Sequence, residues 1–147
     1  MRIIDSTLRE GEQCFGVYLS PEARRDVLAR LVRLGVDEAE LGVAGRDASL
    51  AALVAHAREL AGDGPTRFSV WAACREDTIR AGAALGAHWL HIGLPASGAH
   101  MRKRLGLSPD ETLDHLRRHV ELALRAGAGL VSLGLEDASR ADPDFLL

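Results

Sequence analysis

The sequence predicts an α/β fold built on a parallel sheet, and three observations lead there. Five short apolar runs alternate with four longer amphipathic stretches, the order that lays a helix between each pair of parallel strands. The longer stretches repeat their apolar residues at helical spacing, whereas the short runs are extended in character. A glycine closes each helical stretch, at Gly35, Gly62, Gly86 and Gly127, where a left-handed residue ends a helix at little cost.

The elements follow in order. Ile3-Ile4-Asp5 is a short strand. Ser20-Pro21-Glu22 opens the first helix with a capping serine, a proline at the first helical position and an acid in the first turn. Ala23, Val27, Leu28, Leu31 and Leu34 form its apolar stripe. Glu38 to Val43 is the second strand, and Leu50, Leu53, Val54, Ala57 and Leu60 mark the second helix. Arg67 to Trp71 is the third strand, rich in residues that favour extended backbone. A helix from Glu76 to Leu85 follows, then a fourth strand from Trp89 to Leu94. Ser108-Pro109-Asp110-Glu111 is a capping box that starts a fourth helix. Its stripe is Leu113, Leu116, Val120 and Leu124. Leu130 to Leu135 is the fifth strand, and Asp142-Pro143-Asp144 begins another helix. Pattern alone leaves two architectures, an open doubly wound sheet and a (β/α)-barrel. The chain has neither a Gly-x-Gly-x-x-Gly turn after strand one nor a Gly-Lys-Ser/Thr phosphate loop.

Composition narrows the function. The 147 residues are 47% hydrophobic and 27% charged, which suits one globular domain over 1–147. A net charge of −3 offers no basic patch, so neither nucleic acid nor an anionic membrane is an expected partner. No apolar run has the length of a membrane span, and the start goes straight into a strand without a signal-peptide core, so a reduced cytoplasmic setting is expected. Cys14 and Cys74 carry no metal-ligand spacing.

The chemistry concentrates in Asp5-Ser6-Thr7-Leu8-Arg9-Glu10-Gly11-Glu12-Gln13, directly after strand one. A carboxylate such as Glu10 suits a hard divalent cation. Arg9 beside it can hold a substrate carboxylate or steady a developing oxyanion. The same residues also make sense as a polar surface loop with an Arg–Glu pair.

This stretch resembles the signature of the metal-dependent aldolase and acyltransferase barrels that include homocitrate, isopropylmalate and citramalate synthases and hydroxymethylglutaryl-CoA lyase. It looks most like homocitrate synthase, although many relatives carry Asp where this chain has Glu10. Leu94-Pro95-Ala96-Ser97, leading to Met101 and Lys103, resembles the nitrogen-fixation type of that enzyme. So does Gly134-Leu135-Glu136-Asp137-Ala138-Ser139-Arg140-Ala141-Asp142. The resemblance implies a parallel (β/α) TIM-barrel, incomplete here, with residues 1–147 as the N-terminal part of a pyruvate carboxyltransferase-type (β/α)8 domain. It implies an amino-acid-biosynthesis acyltransferase that condenses acetyl-CoA with a 2-oxo acid, 2-oxoglutarate being expected, in a metal-dependent Claisen reaction. The metal would be Mg, Mn or Zn, with Glu10 as ligand. Arg9 and Glu136 would be catalytic, and Arg9, Gln13, Trp71 and His91 would bind substrate. A homodimer or a complementing C-terminal half would be the partner.

Departures accompany the matches. The family's His-x-His metal pair is absent from the chain, and a whole barrel takes about 250 residues. Trp71 stands where the lysine-pathway enzymes have His, again as in the nitrogen-fixation type. His91 replaces a frequent Asp, and Ser132 and Gly134 replace residues around the oxo acid's distal carboxylate. Two other readings stay open: a relative acting on other substrates, and a non-catalytic half-barrel that binds another chain. His115 and His119 lie at i, i+4, a spacing that can bind zinc, but Arg117 and Arg118 between them and the lack of a nearby acid of the usual type point to a solvated helix face. Arg102-Lys103-Arg104 either meets CoA phosphates or is solvated, and solvation is the favoured expectation. Cys74-Arg75 is a loop that either touches the acyl-CoA or only connects. His91 fits a barrel-lining place or a satisfied core position.

Overall fold

A computed structural model describes residues 1–146. Five strands, β1 (Ile4–Asp5), β2 (Glu38–Val43), β3 (Arg67–Ala73), β4 (Trp89–Pro95) and β5 (Leu130–Glu136), form one sheet in the order β1-β2-β3-β4-β5. Every pairing is parallel. A doubly wound sheet reverses its strand order at a switch point. Here the order never reverses, and the sheet curls into a partial TIM-barrel, which decides between the two architectures that pattern left open.

Four long helices lie between the strands: α1 (Pro21–Leu34), α2 (Leu50–Ala61), α3 (Glu76–Ala84) and, after a short α4 (Gly98–His100) and a π-turn over Met101–Leu105, α5 (Pro109–Arg125). A last turn, α6, spans Pro143–Leu146. The caps act as their residue types require. Ser20 Oγ accepts from Ala23 N at 3.2 Å. At α5, Ser108 Oγ accepts from Glu111 N at 3.4 Å while Glu111 Oε2 accepts from Ser108 N at 2.8 Å, so two orphan amides are satisfied reciprocally.

Alternation splits the sheet into two faces. Ala39, Leu41, Phe68, Val70, Ala72, Leu90, Ile92 and Leu94 pack with Leu28, Leu31, Leu53, Val54, Ile79 and Ala123 of the helices in one core cluster. The opposite face, the barrel interior, carries Glu38, Glu40, Ser69, Trp71, Trp89, His91 and Ser132. Near its base Arg2 reaches Glu38 at 3.3 Å and lies 4.4 Å over the Trp89 ring. Higher up, each large interior side chain lies across a glycine of the next strand. A Cβ on Gly93 would sit 2.2 Å from the Trp71 ring, and one on Gly134 would sit 2.4 Å from His91 Nε2.

Several details differ from expectation. β3, β4 and β5 each run past the expected end, to Ala73, Pro95 and Glu136, because parallel pairing continues through Pro95↔Glu136. The inward stripe of α5 is also rotated: Thr112 and Ala123 are buried, while Leu124 is exposed. The helices around Leu34 and Leu60 likewise leave those leucines at the surface.

Candidate functional site

The Asp5–Gln13 motif folds into a tight turn at the C-terminal tip of β1. The Ser6 carbonyl accepts from the amides of Arg9, Glu10 and Gly11 at 3.0, 2.7 and 3.3 Å. Asp5 Oδ1 accepts from Thr7 N at 2.9 Å, and Leu8 is fully buried as the anchor. The turn therefore sends its charged residues two ways. Arg9 and Glu10 point to the mouth of the half-barrel, whereas Glu12 faces α1, where Arg24 Nε donates to it at 2.7 Å. Arg24 also binds Asp47 and donates to Ser49 Oγ at 3.1 Å, so one guanidinium ties the loops after β1 and β2 together. Glu12's hydrogen bond to Arg24 raises the latter's pKa further, despite partial burial.

At the strand tips lies a cleft of about 630 Å³. The structure brings all six sequence-selected residues to its wall: Arg9, Glu10, Gln13, Trp71, His91 and Glu136. Arg9 is fixed by Glu40, Nε to Oε2 at 2.6 Å, and also binds Glu10. His91 Nδ1 and Ser132 Oγ are 2.9 Å apart. Sequence reasoning missed Arg46 on the same wall, and it left Arg75 and Arg104 between a ligand contact and a plain loop or solvated run. It also missed Glu40, which is 6% exposed behind Arg9. Glu38 and Glu40 are acids two apart in an otherwise apolar strand, and that period was the available signal. Arg104 is a correction: the π-turn carries it to Glu136, with which it forms an ion pair, so it is not merely solvated. Four arginines and two glutamates line the cleft; Arg9, Arg75 and Arg104 are each already paired with a carboxylate, so an anion there shares their donors with those acids.

The segments after β4 and β5 are joined to one another. Ala96 N donates to Glu136 O at 2.9 Å, and the Ser97 hydroxyl donates to Asp137. Asp137 holds a left-handed backbone, φ 61°. Its carboxylate accepts from Arg140 Nε at 2.7 Å, which with the Ser97 bond lowers its pKa to about 2.

The histidine pair on α5 is a further correction. His115 Nε2 meets the Cys74 carbonyl at 2.8 Å and His119 Nδ1 meets the His115 carbonyl at 2.7 Å. Both rings are half-buried, so this is no solvated face. Cys74 itself is buried and unpaired with the exposed Cys14, which takes its thiol out of reach of a ligand in the cleft.

The donors around Glu10 do not make up a metal site. Glu10 is one exposed carboxylate engaged by Arg9. Among the described residues, the one group of three His, Cys, Asp or Glu side chains with ligand atoms within 4.8 Å of one another is Cys74, His115 and His119. A single carboxylate does not define a transition-metal geometry.

The family described as HMGL-like matches residues 1–147. Among curated relatives, a 2-isopropylmalate synthase of Leptothrix cholodnii is 36% identical over 147 residues, covering 98% of this chain and 28% of the relative. A putative (R)-citramalate synthase of Methanopyrus kandleri is 33% identical over 99% of this chain and 28% of its own length. The homocitrate synthase subunit alpha of Clostridium pasteurianum is 30% identical over 100% of this chain and 54% of its length. The chain thus spans little over a quarter of the first two. Among solved structures, an HMG-CoA lyase from Brucella melitensis superposes with a TM-score of 0.69 at 18% identity, over 90% of this chain and 48% of the lyase. That likeness concerns the fold. No helix of the described residues is long and apolar enough to cross a membrane.

Proposed function

Because the chain belongs to the HMGL-like family, we propose that it forms the N-terminal part of an acyltransferase barrel of homocitrate synthase type, which condenses acetyl-CoA with a 2-oxo acid. The observation that carries this reading is the arginine-lined cleft at the strand tips, where Arg9 is held by Glu40 and Arg104 by Glu136. Barrel enzymes keep their active sites on that face. The four arginines suit a doubly anionic oxo acid, with 2-oxoglutarate as the first candidate, and the segments around Ser97 and Glu136 favour the nitrogen-fixation type.

In this proposal Arg9 donates to the oxo group of the substrate. Glu40 fixes the guanidinium beforehand, so stabilisation is available as the ketone oxygen becomes an alkoxide. Gln13, Trp71 and His91 orient the oxo acid, and Arg104 binds its distal carboxylate. Glu136 takes a proton from the acetyl methyl, the resulting carbanion adds to the ketone carbon, the alkoxide so formed takes up a proton in place of the one Glu136 removed, and water then cleaves the thioester to release CoA. A divalent metal would add Lewis acidity in the whole enzyme. This chain offers it Glu10 alone, so the remaining donors belong to a complementing half or a longer chain. A homodimer or such a complementing half is the proposed assembly.

The relatives named as isopropylmalate and citramalate synthases support a second reading with a different oxo acid. The test is acetyl-CoA consumption by the chain together with the rest of the barrel, with added divalent metal. Turnover with 2-oxoglutarate is the expected result. Turnover confined to pyruvate or 2-oxoisovalerate would replace homocitrate synthesis with the second reading. No turnover with any oxo acid would leave a non-catalytic half-barrel.

A further inference from the structure

We infer that Cys74, His115 and His119 form a zinc site that staples α5 to the loop after β3. Cys74 Sγ and a ring nitrogen of each histidine lie within 4.8 Å of one another. In a tetrahedral zinc site with bonds of about 2.0–2.3 Å, the ligand atoms stand about 3.3–3.7 Å apart. The three side chains therefore close by up to roughly an ångström to hold the ion. One thiolate and two imidazoles form a borderline-soft donor set that suits zinc, with water as the fourth ligand.

The hydrogen bonds prepare the rings for this role. His115 Nε2 and His119 Nδ1 each face a backbone carbonyl, at 2.8 and 2.7 Å. A carbonyl only accepts, so each of these nitrogens carries the proton. His115 Nδ1 and His119 Nε2 keep their lone pairs. A metal-bound histidine commonly has its other ring N–H anchored in this way. The rings also lie together, centroids 4.0 Å apart, which is unfavourable for two imidazolium cations and natural for two ligands of one cation. Burial is the largest influence lowering the pKa of His119. Burial pushes the Cys74 thiol up to about 12, so the one proton released on binding comes from sulfur. Arg118 and Glu76 are the charged groups acting on His119 beside His115.

The site is separate from Glu10, and it bears on the cleft indirectly. Arg75, next after Cys74, and Thr78, in the first turn of α3, line the cleft wall. Thr78 Oγ1 donates to the Ala73 carbonyl at 2.8 Å, so fixing Cys74 fixes that rim.

The test titrates Zn(II) and Co(II) into the 147-residue chain carrying Cys14→Ser, which removes the exposed thiol. The expected result is one equivalent bound, one proton released across buffers of different ionisation enthalpy, and a cobalt spectrum with tetrahedral d–d bands and a thiolate-to-cobalt charge-transfer band. Cys74→Ser should abolish the charge-transfer band. His119→Gln, at a half-buried position, should weaken binding at least tenfold while leaving the metal-free melting curve in place. Glu10→Gln should change neither. A cobalt spectrum without the thiolate band, or parent-like affinity in both Cys74→Ser and His119→Gln, would overturn the site. If Cys74→Ser fails to fold, the His119→Gln affinity and the parent spectrum decide.

Discussion

Arg9 at the tip of β1 donates through Nε to Glu40 Oε2 on β2 at 2.6 Å, and Glu40 is 6% exposed while the arginine side chain keeps 22% of its surface. A buried acid thus aims a partly exposed guanidinium at the mouth of the barrel. Arg9→Ala removes both the aimed cation and the partner of a buried carboxylate. In a complete enzyme, turnover should fall about a hundredfold or more, the scale of losing one oxyanion partner. Stability should fall by about 2 kcal/mol, below the ~3–5 kcal/mol of a fully buried pair because Arg9 is partly hydrated. Glu40→Gln keeps an acceptor for Arg9 and should cost turnover less. Steady-state kinetics with thermal melts check both, and near-parent turnover in Arg9→Ala would refute the role.

Arg104 and Glu136 form the opposite ion pair of the cleft. If Arg104 binds the distal carboxylate, Arg104→Ala should raise KM for a dicarboxylic oxo acid about tenfold, roughly one charge-assisted hydrogen bond. KM for a monocarboxylic oxo acid should stay nearly constant. An equal rise for both classes would argue that Arg104 only positions Glu136.

Asp137 supplies an acid-sensitive joint. Its carboxylate pKa sits near 2 against an ordinary 3.8, chiefly through Arg140 and then Ser97. A depressed carboxylate stabilises the fold above its unfolded value and loses that contribution as pH falls through the folded one. The loss should therefore occupy the range from about 4 down to 2. Arg140→Ala should move this limb to higher pH in melting curves taken across that range, and NMR titration of the Asp137 carboxyl should follow it. An unmoved limb would count against the assignment.

Gly93 is crossed by the Trp71 ring, and a Cβ there would lie 2.2 Å from it. Gly93→Ala should cost about 1–3 kcal/mol through overpacking and shift tryptophan fluorescence as the indole moves. Trp71→Phe in the same molecule should recover part of that loss. An unchanged melting temperature in Gly93→Ala would show that the ring moves freely.

Ser108→Ala removes the hydroxyl's bonds with Glu111 at the start of α5 and leaves the residue-108 amide donating to Glu111 Oε2. A loss of about 1 kcal/mol is expected by chemical denaturation. Ser108→Asp, which still accepts from the first turn, should lose less.

Much of the fold was legible because it is written locally. Ser20-Pro21, the Ser108–Glu111 box and Gly35 set helix ends within a few residues, and alternation in β4 separates Ile92 from His91. The barrel choice was not local, since strand order depends on pairings dozens of residues apart. The family motif placed Arg9, Glu10 and Gln13 near the cleft, whereas Arg46, Arg75 and Arg104 carry no motif and arrive there by topology. His115 and His119 were misjudged from the charged neighbours Arg117 and Arg118. The better guide was the register 112–115–119–123, in which the buried ends Thr112 and Ala123 place both histidines on the inward side.

The leaning of Trp71 over Gly93, and of His91 over Gly134, binds the inheritance of neighbouring strands together. Enlarging either glycine is blocked while its neighbour stays bulky, and shrinking the neighbour alone leaves a hole. Divergence in substrate choice along this wall would then proceed by exchanges in pairs, so the two members of each pair should covary among descendants of a common ancestor.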